Sequence, residues 1–118
     1  MLENVLNPLL KSMIIYNETT SIEEEIHEPW LDWMKNIRIP EMLATGKFTR
    51  ALLARVKSPH RETTYSVQFS SPDAQTLQRF FLEDAQDLQE APAGFLGKMM
   101  SFGTELEVLE QSFPNSPG

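Results

Sequence analysis

The chain predicts an α+β domain in which four strands and two helices succeed one another in the order β-α-β-β-α-β. Three observations carry this. Four short runs rich in β-branched and aromatic residues recur along the chain, at Met13–Thr20, Phe48–Lys57, Thr63–Ser70 and Lys98–Glu110. After the first and third runs, apolar residues return at helical spacing. The second and third runs are separated by little more than the polar turn Ser58-Pro59-His60-Arg61, which is hairpin distance.

The first run, MIIYNETT, alternates loosely as a strand does. Ser21 with Glu24 three residues later has the form of a capping box, and Glu23, Glu24 and Glu25 place negative charge at the positive end of a helix dipole. Ile22, Ile26, Trp30, Trp33 and Ile37 then recur at four, four, three and four residues, one buried helical face, with Glu28, Asp32 and Lys35 on the solvated side. Pro29 fits the first turn of a helix that begins near Glu28 after a looser turn. Pro40 disfavours helix at Ile39, so a bend and a short second helical piece are expected, closed by Gly46 as a left-handed cap.

In the second strand, Phe48, Leu52 and Val56 share one side, with Leu53 on the other. Tyr65, Val67 and Phe69 alternate in the third strand. Ser71-Pro72-Asp73 reads as a helix cap with proline at the first helical position. Leu77, Phe80, Phe81, Ala85 and Leu88 mark the second amphipathic helix, which stops at Ala91-Pro92. In the last strand Met100, Phe102, Leu106 and Val108 are largely in phase.

Two right-handed crossovers joined by a central hairpin make the ferredoxin-like βαββαβ fold, a four-stranded antiparallel sheet with strands one and three central and two helices on one face. The other face is left open, and Leu53, Met99 and Leu109 among its alternates make it semi-apolar. Such a face finds a partner, and a homodimer that stacks two sheets is the simplest closure.

A chain of 118 residues makes one domain, here residues 13–110, with a Pro/Ser/Asn-rich tail at 111–118 expected to be disordered and an extension at 1–12 that fits poorly with the first strand. Met13 opens that strand, so translation starting there is one expectation, with the extension an artefact of start-site choice; an ordinary flexible arm, or a short helix that packs on a partner, is the other. A net charge of −7 argues against nucleic-acid binding. No apolar run approaches the ~20 residues of a membrane helix. Zero cysteines exclude disulfides and thiolate sites. The N-terminus lacks the features of an export signal, so the cytoplasm is expected.

The stretches MIIYN, IHEPWLDWM, IPEMLATGKF and TTYSVQF together resemble a bacterial domain-of-unknown-function family, family 4286, in the dimeric α+β barrel superfamily. The resemblance spans about Met13 to Glu110. It implies a dimeric α+β barrel closed sheet to sheet, with a small-molecule pocket between helices and sheet. Relatives in that superfamily include cofactor-independent oxygenases, haem-degrading enzymes and stress-response proteins. The haem-degrading relatives pair a first-strand Asn with a later Trp and His. Asn17 is comparably placed, but both tryptophans lie on helix one and the second helix has no histidine, so no catalytic role carries over.

The site residues expected from this reading are Tyr16, Asn17, His27, Trp30, Met34, Tyr65 and Gln68. His27, at the margin of the apolar helical face, is the candidate proton donor or acceptor, against a plainer role as a half-buried histidine bonded to a strand. Trp30, Trp33 and Met34 line either an aromatic pocket or plain core. Tyr16, Asn17, Tyr65 and Gln68 bring polar groups onto the central strands, where they need partners. Arg50 is a candidate for a ligand carboxylate or a surface ion pair. Glu23 and His27, four apart, lack a third ligand for a metal, and neither a metal nor another cofactor is expected. Three functions are consistent with these residues: a small cytoplasmic homodimer that binds a small apolar or aromatic ligand or serves only as structure, a cofactor-independent oxygenase- or isomerase-like enzyme, or a metabolite-sensing module.

Overall fold

A computed structural model of the chain describes residues 12–57 and 62–115. The expected extension at 1–12, but for Ser12, the turn at 58–61 and the last three residues of the tail lie outside the described residues. The strands are β1 (Ile14–Ile22), β2 (Arg50–Arg55), β3 (Thr63–Ser71) and β4 (Met99–Glu107), and the helices α1 (His27–Trp33), α2 (Ile39–Ala44) and α3 (Ala74–Glu83). The sheet order is β2-β3-β1-β4, all neighbours antiparallel, so β1 and β3 are central. This is the ferredoxin-like arrangement. Among the described residues no helix is long and apolar enough to cross a membrane.

Register assigns every strand residue to a face. Ile14, Tyr16, Glu18, Thr20 and Ile22 of β1 align with Ser71, Phe69, Val67, Tyr65 and Thr63 of β3, and β2 adds Ala51, Leu53 and Arg55 to that row. This is the helix-facing side. Val67, Phe69, Trp30, Met42, Leu77 and Phe80 fill the core there, with Phe48 set between the Phe69 and Phe80 rings. Lys47 ties the start of β2 to the end of α3 through Asp84 at 2.7 Å and Glu83 at 3.3 Å.

Several local expectations are corrected. No capping box forms. Ser21 is still in β1, its hydroxyl 3.1 Å from that of Thr64, and a 3-10 turn at Glu24–Ile26 begins at Glu23 without a side-chain cap. No bend breaks the helix before Pro40. Met34–Arg38 form a π turn in which the Ile39 amide bonds the Met34 carbonyl, and the helix runs on with Pro40 in the first turn of α2. Widening the turn accommodates a residue that has no N–H and whose ring crowds the preceding turn. The cap of α3 is Asp73, which accepts from the Thr76 amide at 2.7 Å, with Pro72 before the cap rather than inside the helix. Gly46, at φ +78°, is the left-handed cap expected.

The faces of both edge strands are the reverse of those expected. Leu53 and Met99 pack towards the helices, whereas Leu52, Met100, Phe102 and Leu106 lie on the open side and are exposed. A shift of one residue exchanges the two sides of a strand. Adjacent leucines in β2 and adjacent methionines in β4 leave that choice open locally, and the register with β1 and β3 decides it. Leu109, beyond β4, is exposed.

Candidate functional site

Two groups of polar side chains lie on the helix-facing side of the sheet. The first sits where β1 hands over to the helix. Tyr65 is buried on β3, and its ring stacks beneath Trp30 with centroids 5.1 Å apart. Its hydroxyl lies 2.5 Å from His27 Nε2 and accepts from Arg55 Nη2 at 2.7 Å. A guanidinium only donates, so the Tyr65 oxygen is the acceptor from Arg55, and Tyr65 and His27 Nε2 share one proton between them. His27 Nδ1 faces the Glu24 carboxylate at 3.8 Å, and Arg55 Nη2 is 3.3 Å from Nε2. The bond to Tyr65, with Glu24 and Glu28 nearby, raises the Arg55 pKa. The Tyr65 hydroxyl thus has two protein partners. The group locks β2, β3 and the start of α1 together. Tyr65→Phe is expected to cost about 1 kcal/mol by removing the bond to the half-buried His27, the exposed Arg55 turning to water, as urea unfolding would measure.

The second group lies near the middle of β1, towards β4. Tyr16 faces Glu105 across the strand pair, and Glu18 faces Gly103. Gly103 has a specific use here. A Cβ at that position would fall 2.7 Å from the Tyr16 hydroxyl, so the glycine lets the phenol ring lie across β4. Phe81 of α3 meets the Tyr16 ring edge-on at 5.3 Å. Arg38 is held above by the Trp33 ring at 4.8 Å and by the Gln89 carbonyl at 2.8 Å.

Burial pushes the Glu18 carboxyl above the usual carboxylate range, and Arg38 only partly offsets it. Burial, then Glu18 and Glu105, also push the Tyr16 phenol up. Among the described residues neither side chain makes a side-chain hydrogen bond, and β4 beside them is exposed along all but its first residue.

A raised carboxyl makes a pH prediction. The protonated form suits the folded site, so Glu18 contributes most below its unfolded pKa, and that contribution is lost as pH rises through the higher folded value. Glu18→Gln, which mimics the protonated form, is expected to match the parent near pH 4 and to exceed it by roughly 1 kcal/mol at pH 7–8. Thermal melts across that range would show the two curves diverging upward in pH.

The sheet divides the seven residues expected from the sequence. His27, Trp30 and Tyr65 form the first group, and Met34 is buried in the core close by. Tyr16 belongs to the second. Asn17 and Gln68 are register partners on the opposite, open face, where Asn17 donates to Thr19 at 3.1 Å and accepts from Ser66 at 2.5 Å. Arg50 is on that face too, 3.4 Å from the Ser70 hydroxyl. Glu18 and Arg38 escaped the sequence reading. The signal for Glu18 was its phase, a carboxyl in step with Ile14, Tyr16, Thr20 and Ile22. A further cleft of 540 Å³, lined by Pro92, Phe95, Leu96 and Met99 among others, opens before β4 and carries Glu90 as its one titratable side chain.

Comparison with known proteins agrees with the fold. The profile of the family described as "Domain of unknown function (DUF4286)" matches residues 13–109. No curated protein matches the chain. Among solved structures, a Bacillus cereus protein provisionally designated an antibiotic biosynthesis monooxygenase superposes with a TM-score of 0.66 at 9% identity, covering 87% of this chain and 99% of its own. A dimeric ferredoxin-like protein from an uncultured marine organism superposes with a TM-score of 0.67 at 11% identity, covering 86% and 99%. At such identities the likeness concerns fold alone.

Proposed function

This chain belongs to the DUF4286 family of domains of unknown function, and from that footing we propose that it is a homodimer which binds a small molecule on the helix-facing side of its sheet, beside β4. The observation that carries the ligand is Glu18. A carboxyl on the core row of a central strand is costly unless it is paired, and this one makes no side-chain hydrogen bond among the described residues. Tyr16 stands next to it in the same state, with Phe81 as an aromatic wall. Polar groups converging beside an apolar wall are the usual make-up of a small-molecule site.

The dimer is supported by the open face. Leu52 lies on one margin and Met100, Phe102 and Leu106 on the other, exposed apolar side chains that a second sheet would cover. One structural neighbour is itself described as dimeric. The 3.8 Å Glu24–His27 contact and the fully engaged Tyr65 hydroxyl favour a structural role for the first polar group. A thermal-shift screen of compact aromatic and carbonyl compounds tests the ligand. A compound at 100 times its Kd is expected to stabilise the parent by about 2.7 kcal/mol and Glu18→Gln by far less. A screen in which nothing shifts the parent would overturn the binding reading.

A further inference from the structure

We infer that Glu18 and Tyr16 are an acid–base pair that enolises a neutral carbonyl compound, Glu18 taking a proton from the carbon beside the carbonyl and Tyr16 giving one to the oxygen. This rests on the ligand seat proposed above. Two features single out this pair. Of the two polar groups on the helix-facing side, the His27–Tyr65–Arg55 set has its central hydroxyl engaged by two protein partners, whereas Tyr16 and Glu18 have none among the described residues. Their placement is also suited to a bridging molecule. The Tyr16 hydroxyl reaches across β4 to the space above Gly103, and Gly103 is the residue directly opposite Glu18. Facing positions on antiparallel strands are about 5 Å apart. A carboxylate rising from one and a phenol lying over the other can therefore contact the two ends of one O=C–C–H unit, each at hydrogen-bond reach of about 3 Å.

The surroundings match the two roles. Burial makes Glu18 a stronger base than an exposed carboxylate, and the phenol, pushed up by burial and by Glu18 and Glu105, stays protonated as a donor. Arg38, held by Trp33 and Gln89, is the group that favours the Tyr16 anion when the proton has left. Phe81 beside Tyr16 and the carboxylates Glu105 and Glu107 on the same side of β4 select an uncharged substrate with an apolar or aromatic body over an acid.

In the step itself, the C–H bond breaks and its proton goes to Glu18. The C–H electron pair becomes the new C=C bond, the carbonyl π pair moves onto oxygen, and that oxygen takes the Tyr16 proton. Tyr16 is reprotonated from solvent. Return of a proton to the same carbon exchanges it with solvent, and return to a different carbon gives an isomer. No oxidant or reductant is needed.

The test is solvent exchange. The full chain is incubated in D2O with 1-phenylpropan-2-one, and loss of the α-proton signals is followed by NMR, with the melting temperature recorded in the same samples. The parent is expected to exchange the α-protons at least 100-fold faster than buffer, with a rate that climbs with pH as a carboxyl of raised pKa ionises. Glu18→Gln is expected to lose about 100-fold or more, and Tyr16→Phe about tenfold or more. Exchange no faster than buffer, or equal exchange by Glu18→Gln, overturns the inference. A ketone that raises the melting temperature without exchanging leaves the binding reading standing and removes only the chemistry.

Discussion

Phe102→Glu is expected to convert the proposed dimer into a monomer. Phe102 is 62% exposed in the single chain, between Met100 at 77% and Leu106 at 41% on the same side of β4. Its neighbours across the strand pair are short, Thr19 facing Phe102 and Ser21 facing Met100. The large ring and thioether therefore stand above the sheet and would be the anchors of the proposed dimer. An aromatic anchor at an interface is worth about 2 kcal/mol or more, and a carboxylate in its place adds a desolvation cost. Together they amount to at least about 3 kcal/mol, a weakening of the dimer by roughly 100-fold. Sedimentation equilibrium at several concentrations reads this directly. A parent chain that already sediments as a monomer at micromolar concentration would remove the premise.

The second large effect belongs to Trp30. It is 0% exposed, lies against Tyr65 with rings 27° from parallel, and sits where α1 meets the centre of the sheet. Trp30→Ala is expected to cost about 4 kcal/mol from lost burial and the cavity left behind. For a domain of this size that lowers the melting temperature by roughly 15 °C. Trp30→Phe is expected to cost less than half as much. The indole Nε1 is buried without a hydrogen-bond partner among the described residues, so phenylalanine gives up contact area but no bond. Calorimetry on the two variants separates the readings. Equal losses would mean that Nε1 has a partner after all.

The order of elements and the central place of strands one and three were legible because periodicity and hairpin distance are local properties. The face of each edge strand was not. MMSF and LL contain apolar residues at neighbouring positions, and the choice between them is made by ladder hydrogen bonds to β1 and β3, which reach across the chain. The bias was also systematic. The more apolar side of β4 is normally assigned to the monomer core, and here it faces outward. That His27 meets a strand was within reach of the sequence, since a histidine at the margin of a helical stripe has few places to go. Glu18 was hidden because a glutamate in a strand ordinarily reads as solvated. It became visible only once Tyr16 and Ile22 fixed which row it shares.

The π turn at Met34–Arg38 sets the phase of the helix beyond it. Each residue in a regular helix advances about 100°, so one residue more or less swings the remaining segment by more than a quarter turn. Asn36 is exposed, and its side chain lies outside the core. A π turn holds one residue more than an α turn, so excising Asn36 is expected to close it to a regular turn and leave Met42 facing the sheet and Arg38 on the Trp33 ring, whereas excising a residue of α1 would rotate both. The wide turn is where this helix has slack to lose a residue; in α1 the number of residues sets which side chains reach the sheet.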